Sequence, residues 1–177
     1  SGLDGAQAWL DAEVVPHGQV VFGVSVDPTG RGVLPDFWPI VLIGLERSPA
    51  LLARWRETAK YSTVPVHFVH RETVPVFASD HDRFFANTEP IPALWYTNPG
   101  MSFYHTPGDV PETVDYRVLL ANTQYIANFL VDFGNESQRF EYEGAPPISA
   151  ESARDLKALF EGVGGSSLLT DEERERL

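Results

Sequence analysis

Short apolar runs separated by helical patterns constrain the fold of this chain more than any other feature. Residues 19–27 (QVVFGVSVD) and 38–46 (WPIVLIGLE) are rich in β-branched and other apolar residues, a composition typical of buried strands. Residues 66–70 and 92–98 (PALWYTN) repeat this character over shorter stretches. Helical patterns lie between and after these runs. Because strands that alternate with helices form a sheet covered by helices, the sequence predicts an α/β fold.

Two helices are predicted from apolar periodicity and from the residues at their ends. Residues 49–60 begin with a proline, which suits the first helical position, and the preceding Ser48 is a good N-cap. Residues 113–133 carry apolar side chains at helical spacing, and Gly134 follows where a helix stop is expected. The fold class predicted from these elements is a three-layer α/β sandwich with a mostly parallel central sheet.

The C-terminal part of the chain has a different character. Residues 135–147 are polar and contain prolines, and a second amphipathic helix is predicted from Ser149 to about residue 162. The charged residues 170–177 are compatible with a capped helical turn or a frayed tail, and the position at a chain end favours the tail. We therefore divide the chain into an α/β unit over residues 1–134 and a linker, helix and charged tail over residues 135–177.

Composition excludes several classes of function. The 177 residues include 25 acidic and 13 basic side chains, and the net charge of −12 repels nucleic-acid phosphates. No cysteine is present, which excludes a disulfide framework and a thiolate zinc site. The apolar runs are much shorter than the roughly 20 residues that span a bilayer. The sequence therefore predicts neither a nucleic-acid partner nor a membrane partner.

Residues 104–109 (YHTPGD) lie between a predicted strand and the longest helix, where α/β proteins build their sites. His105 has the chemistry of a zinc ligand, and the hydroxyl of Tyr104 has the chemistry to stabilise an oxyanion. From spacing by itself, a loop histidine that hydrogen-bonds to backbone groups is the more common case.

Residues 79–84 (SDHDRF) contain the residue types of a serine-hydrolase triad in consecutive positions. Adjacent residues do not converge on one reacting atom, which excludes the triad. The local pattern instead favours Ser79 or Asp80 as the cap of a short helix that carries Phe84 and Phe85 inward.

Asp27 ends the first predicted strand and precedes Pro28, Thr29 and Gly30. A carboxylate at a strand end is able to bind one metal ion or bridge two. An aspartate before proline and glycine more often starts a turn, and the residue types leave both interpretations open.

The order of these motifs resembles that of the zinc aminopeptidases of peptidase family M28, relatives of bacterial leucyl aminopeptidases and glutaminyl cyclases. Over roughly residues 2–133, the resemblance rests on residues 25–31 (SVDPTGR), 79–84 (SDHDRF), 91–93 (IPA) and 104–109 (YHTPGD). It implies a zinc-exopeptidase-like sandwich and a peptide substrate. A glutaminyl cyclase-like acyltransferase is disfavoured, because that branch usually carries a tryptophan where Tyr104 stands.

The resemblance also implies roles for individual residues. Asp27 and His105 would be zinc ligands, and Tyr104 would stabilise the tetrahedral intermediate. Ser79, Asp80 and His81 (residues 79–81, SDH) would not bind zinc themselves. They would contact the metal ligands or form part of the substrate pocket.

The resemblance further implies that part of the metal site is missing. Residues 2–6 (GLDGA) are similar to a family segment that directly follows a pair of glutamates, one a general base and the other a zinc ligand. We therefore expect the domain to be incomplete at its N-terminal side. The complete site holds two zinc ions, and we expect this chain to bind none tightly by itself.

Two hypotheses follow for function. In the first, the chain is part of a metallo-aminopeptidase, inactive in isolation, that hydrolyses N-terminal residues from peptides. In the second, it is a non-catalytic α/β module that binds a partner, its own N-terminal half or a second copy through an exposed sheet edge. Analogy with the family also suggests a secreted or periplasmic protein.

Overall fold

The centre of the fold is one mixed sheet of four strands. The computed structural model describes residues 3–74, 79–100, 103–135, 137 and 139–176. The strands are β1 (Gly23–Val26), β2 (Ile40–Ile43), β3 (Val66–Val69) and β4 (Ala93–Thr97), and they lie in the order β1-β4-β2-β3. β1 is parallel to β4 and β2 is parallel to β3, whereas β2 and β4 are antiparallel.

All four predicted strands are present, but each is shorter than its apolar run. The first run was predicted over residues 19–27, yet His17–Gln19 forms a 3₁₀ turn and β1 begins only at Gly23. The amide of Gly23 donates to the carbonyl of Pro92 at 2.8 Å, which starts the ladder. Phe22 lies outside this ladder but packs against the main core. The apolar run therefore extends beyond the strand, because it includes residues that are packed against the core but are not hydrogen-bonded to β4.

One face of the sheet is covered by α2 (Pro49–Ala59) and α4 (Tyr116–Gly134). Trp55 of α2 stacks on Phe129 of α4 with ring centroids 3.5 Å apart, so the two helices meet directly over the strands. The buried core on this face consists of Ile40, Leu42, Leu45, Leu51, Trp55, Val64, Phe68, Leu94, Tyr96, Ala121, Tyr125, Phe129, Phe133 and Phe140.

The other face is covered mainly by α5 (Ala150–Gly164), with α3 (His81–Phe85) packed on β4 and α1 (Asp4–Asp11) next to α3. Leu156 and Leu159 of α5 pack against a smaller cluster formed by Val41, Ile43, Val69 and Trp95. The Arg56 guanidinium pairs with Asp155 of α5 at 2.7 Å. Helices on both faces confirm the predicted α/β sandwich.

The start of the longest helix differs from the sequence prediction. The long helix was predicted from residue 113, but Pro111–Thr113 forms a 3₁₀ turn and α4 begins at Tyr116. Asp115 is its N-cap, because the carboxylate accepts a hydrogen bond from the amide of Arg117. The pKa of Asp115 is lowered to about 2, chiefly because the side chain of Arg117 donates a hydrogen bond to its carboxylate.

The favoured prediction of a frayed C-terminal tail is wrong. Residues Asp171–Glu175 form α6, and Thr170 and Glu173 make reciprocal hydrogen bonds in a capping box. The side chain of Arg174 also donates to the carbonyls of Gly164 and Ser166, which ties α6 back to the end of α5.

The division of the chain at residue 134 stays a prediction. Gly2, the first residue of the motif at residues 2–6, lies outside the described residues. Within the described ranges, no helix combines the length and the apolar character needed to cross a bilayer.

Candidate functional site

The parallel pairing of β1 and β4 brings their carboxyl ends to the same end of the sheet. Asp27 directly follows β1, and its amide donates to the carbonyl of Tyr96 at 3.1 Å. Asn98 directly follows β4, and its amide donates to the carbonyl of Pro28 at 2.9 Å. The two segments that leave the sheet here are therefore held side by side, as expected for a site at strand ends.

Asn98 is a residue that the sequence analysis missed. Its side chain is buried, accepts a hydrogen bond from the amide of Gly30 at 3.3 Å and donates to the carbonyl of Pro39 at 2.7 Å. It therefore links the segments that follow β1 and β4 to the segment that precedes β2. The signal available in the sequence was an asparagine between an apolar run and Pro99-Gly100.

The carboxylate of Asp27 is held by two serine hydroxyls. Ser79 Oγ donates to Asp27 Oδ1 at 2.5 Å, Ser25 Oγ donates to the same oxygen at 2.9 Å, and the two hydroxyls lie 2.6 Å apart. The indole of Trp95 also donates to the backbone carbonyl of Asp27. These contacts fix the orientation of the carboxylate, and no described residue hydrogen-bonds to Oδ2.

The prediction that Ser79 or Asp80 caps α3 through its side chain is wrong. Asp80 occupies the N-cap position, but neither side chain accepts a hydrogen bond from the first turn. The hydroxyl of Ser79 is instead used on Asp27, 52 positions earlier in the chain. The inward orientation predicted for Phe85 is confirmed, whereas Phe84 is only partly buried.

His81 lies in the interior behind this carboxylate. It is fully buried, with the ring of Trp95 5.9 Å away and the ring of Phe85 5.4 Å away. Neither ring nitrogen has a well-aligned hydrogen-bond partner among the described residues. Burial lowers the pKa of His81 to about 4, partly offset by the nearby carboxylate of Asp82, so the ring is neutral near pH 7.

Tyr104 and His105 lie next to each other on an exposed loop after β4. Their rings stack with centroids 3.8 Å apart. His105 adopts a left-handed backbone conformation with a φ of 56°, which is uncommon for a residue with a side chain. Such strain is found most often at functional positions.

Arg31 attaches this loop to the segment after β1. Its Nε donates to the carbonyl of Thr113 at 2.8 Å, and its guanidinium lies 3.3 Å from the carboxylate of Asp109 and 4.6 Å from the ring of Phe103. A small cavity of about 70 Å³ next to it is lined by Pro28, Thr29, Arg31, Asn98, Gly100, Tyr104, Asp109 and Val114. The three sequence motifs thus meet at one end of the sheet.

The described residues do not form a complete zinc site by themselves. Across the described ranges, no group of three or more histidine, aspartate or glutamate side chains is placed to hold a metal ion. A catalytic zinc ion generally takes three protein ligands and a water molecule. Asp27 and His105 have the right donor atoms, but a metal ion here would need further ligands.

The comparisons with known proteins place the chain in a family. The fold does not define a function by itself, because one α/β scaffold carries many different chemistries. The model described as "Peptidase family M28" matches residues 1–130, and the chain belongs to this family. Its members are peptidases, which are hydrolases, and they typically depend on zinc. No curated protein and no solved structure matches the chain significantly.

Proposed function

We propose that this chain is part of a zinc-dependent aminopeptidase that removes N-terminal residues from peptides. In this proposal Asp27 and His105 are two of the metal ligands, and the other ligands come from outside the described residues. The observation that carries the proposal is the hydrogen bond from Ser79 to Asp27, because it joins two of the family motifs at the end of the sheet where Tyr104 and His105 also lie.

Each of these residues has a role that its environment supports. The two serine hydroxyls occupy Oδ1 of Asp27 and leave Oδ2 available to a cation. Among the described residues, the exposed imidazole of His105 stacks on the ring of Tyr104 and has no hydrogen-bond partner. Tyr104 is 39% exposed, and its hydroxyl has the chemistry to donate a hydrogen bond to the oxyanion of a tetrahedral intermediate.

The ligand assignment is tested by zinc binding to the 177-residue chain, measured by titration calorimetry at pH 7.5. We expect weak binding that falls at least tenfold in Asp27→Asn and in His105→Ala. His17→Ala is the matched control and should bind zinc as the wild type does, since His17 hydrogen-bonds to Leu10 on α1. Zinc binding that is unchanged in both site variants would contradict the assignment.

The reaction is tested in the full-length native protein with a leucyl anilide and its N-acetylated form. An aminopeptidase should cleave the first and leave the second intact. Because one oxyanion donor contributes about 10²-fold to 10³-fold in kcat, Tyr104→Phe should lower kcat about 10²-fold with little change in KM. Cleavage of both substrates at similar rates would contradict the aminopeptidase proposal, although not the membership of the family.

A second candidate function is a non-catalytic module that binds a partner. The observation in its favour is that the described part of the chain holds no group of three metal-binding side chains. If the full-length native protein neither binds zinc nor cleaves the free anilide, this second function replaces the first.

A further inference from the structure

The part of the chain that follows α4 is attached to a turn near the candidate site. The family model matches only as far as residue 130, and α5 and α6 lie beyond it, in residues 135–177 (the C-terminal segment). The carboxylate of Asp36 accepts hydrogen bonds from the hydroxyl of Ser166 at 2.6 Å and from the amide and hydroxyl of Ser167 at 3.0 and 2.9 Å. These bonds tie the joint between α5 and α6 to the part of the chain that the family model covers.

A second attachment is the close contact between α5 and the ring of Phe37. Gly162 lies in the last turn of α5, and a Cβ at this position would lie only 2.5 Å from Cε2 of Phe37. Real Cβ atoms essentially never come so close, so glycine is the residue that fits here without a shift of the ring. The same ring packs against His67 of β3, with centroids 6.4 Å apart. A larger side chain at position 162 would therefore displace Phe37.

Both attachments lie on one closed turn, formed by residues 34–37 (the 34–37 turn). The amide of Leu34 donates to the carbonyl of Phe37 at 3.1 Å, and the amide of Phe37 donates to the carbonyl of Leu34 at 3.0 Å. This reciprocal pair fixes the two ends of the turn to each other. A force on Asp36 or on Phe37 is therefore expected to move the turn as a unit.

The 34–37 turn packs on the backbone that leads to the candidate site. A Cβ at Gly32 would lie 2.7 Å from the carbonyl oxygen of Phe37 and 2.8 Å from that of Leu34. A Cβ at Gly100 would lie 2.9 Å from the carbonyl carbon of Gly32 and 2.8 Å from Cβ of Arg31. Because such close packing leaves no space to absorb a shift, a displacement of the turn is passed on to Arg31 and Gly100.

Arg31 and Gly100 belong to the candidate site itself. Together with Tyr104 they line its small cavity. The guanidinium of Arg31 also lies 3.3 Å from the carboxylate of Asp109, and this ion pair holds the loop that carries Tyr104 and His105. A shift of Arg31 should therefore change the position of this loop.

We infer that the C-terminal segment positions the candidate site, with Gly162 and Asp36 as positioning residues that act through the 34–37 turn. Neither residue lines the cavity of the site, so both act on Tyr104 and His105 through packed backbone. For its kinetic test the inference rests on the proposed function, whereas its structural test does not.

The first variant is Gly162→Ala. Alanine favours a helix more than glycine does, so α5 itself should not be weakened, but the added methyl group should displace Phe37. In NMR spectra of the isotope-labelled chain, the amide signals of Gly32, Gly100 and His105 should shift. In the full-length native protein, kcat for the leucyl anilide should fall about tenfold or more with little change in KM, since a misplacement of about 1 Å can cost about 10²-fold.

Three further variants separate positioning from a general loosening of α5. Gly134→Ala is the matched control at the end of α4, where a Cβ would meet no atom within 4 Å, and it should change neither the signals nor kcat. Leu156→Ala weakens the packing of α5 on the sheet at a position before Gly162, so it should lower stability in urea and leave kcat nearly unchanged. Asp36→Ala removes the other attachment and should shift the same signals as Gly162→Ala.

A second substitution shows whether the effect passes through the 34–37 turn. In the double variant Gly162→Ala/Phe37→Leu, the shorter side chain makes room for the added methyl group. It should restore most of the lost kcat and return the His105 signal toward that of the wild type.

The inference is overturned if Gly162→Ala leaves the signals unchanged, or leaves kcat of an active wild type unchanged. It is also overturned if Leu156→Ala lowers kcat as much as Gly162→Ala does, or if Phe37→Leu restores neither kcat nor the His105 signal. If the wild-type full-length protein is inactive, the proposed function fails, and the NMR signals of the variants then decide the inference by themselves.

Discussion

Replacing Trp55 with alanine should lower the free energy of unfolding by about 3–5 kcal/mol, the usual cost of truncating a large buried aromatic residue. Trp55 is completely buried, stacks on Phe129 at 3.5 Å and lies within 6.3 Å of the rings of Tyr96 and Tyr125. It therefore joins α2, α4 and β4 at one point. Its removal leaves a cavity that three fixed rings are unable to fill.

Two control variants isolate the packing contribution. Trp55→Phe keeps an aromatic ring against Phe129 and also removes the indole N–H, which has no hydrogen-bond partner among the described residues. We therefore expect Trp55→Phe to lower the free energy of unfolding much less than Trp55→Ala does. Tyr116→Ala removes a ring that is 65% exposed and should change stability by no more than about 0.5 kcal/mol.

The measurement is urea unfolding followed by circular dichroism, with midpoints and slopes compared across the variants. If Trp55→Ala lowers the free energy of unfolding as little as Tyr116→Ala does, Trp55 is not central to the packing of the core.

The strands were predictable because each lies in a short, largely apolar run of the sequence. Residues 40–43 are buried on both sides of the sheet, and a short run of branched apolar residues between a proline and a glycine is more typical of a buried strand than of a helix. The ends of the strands were less predictable. Phe22 is as apolar as its neighbours in β1, and only the pairing of Gly23 with β4 shows where the ladder begins.

The candidate site was predictable only from the order of its motifs. Local chemistry favoured Ser79 as a helix cap, because a serine before a short helix normally serves that purpose. Its actual partner, Asp27, is distant in the sequence and becomes a neighbour only when β1 pairs with β4. Asp36 also has partners that are distant in the sequence. Its carboxylate accepts hydrogen bonds from the hydroxyls of Ser166 at 2.6 Å and Ser167 at 2.9 Å.

The strain at His105 also lay beyond sequence reasoning. The sequence shows a histidine before Thr106 and Pro107, and nothing in that pattern requires a positive φ. The positive φ lies in a tight turn in which the amide of Thr106 donates to the carbonyl of Phe103 at 3.0 Å, and the loop is attached through Arg31 by contacts that span some eighty positions. Family motifs thus indicated which residues matter, whereas the contacts made through the sheet determine how they are held.

Stability should fall between pH 7 and pH 4.5 in a way that depends on His81. The pKa of this buried ring is lowered from 6.5 to about 4 in the folded chain, mainly by desolvation. Between these two values the unfolded chain binds the proton and the folded chain does not, so the free energy of unfolding decreases as the pH falls. The full difference corresponds to about 3 kcal/mol, present above pH 6.5 and lost as the pH approaches 4.

The variant that tests this effect is His81→Phe, with His81→Leu as a smaller alternative if the phenylalanine ring overpacks against Trp95 and Phe85. Each removes the titrating ring and keeps an apolar side chain in an apolar site. The wild type should lose about 2–3 kcal/mol more than either variant between pH 7 and pH 4.5, measured by urea unfolding at both values. Burial also lowers the pKa of His67, but that residue is present in all three proteins, so its contribution cancels in the comparison. Equal losses in the wild type and both variants would show that His81 is not buried as a neutral ring, and the packing of α3 behind Asp27 would need to be revised.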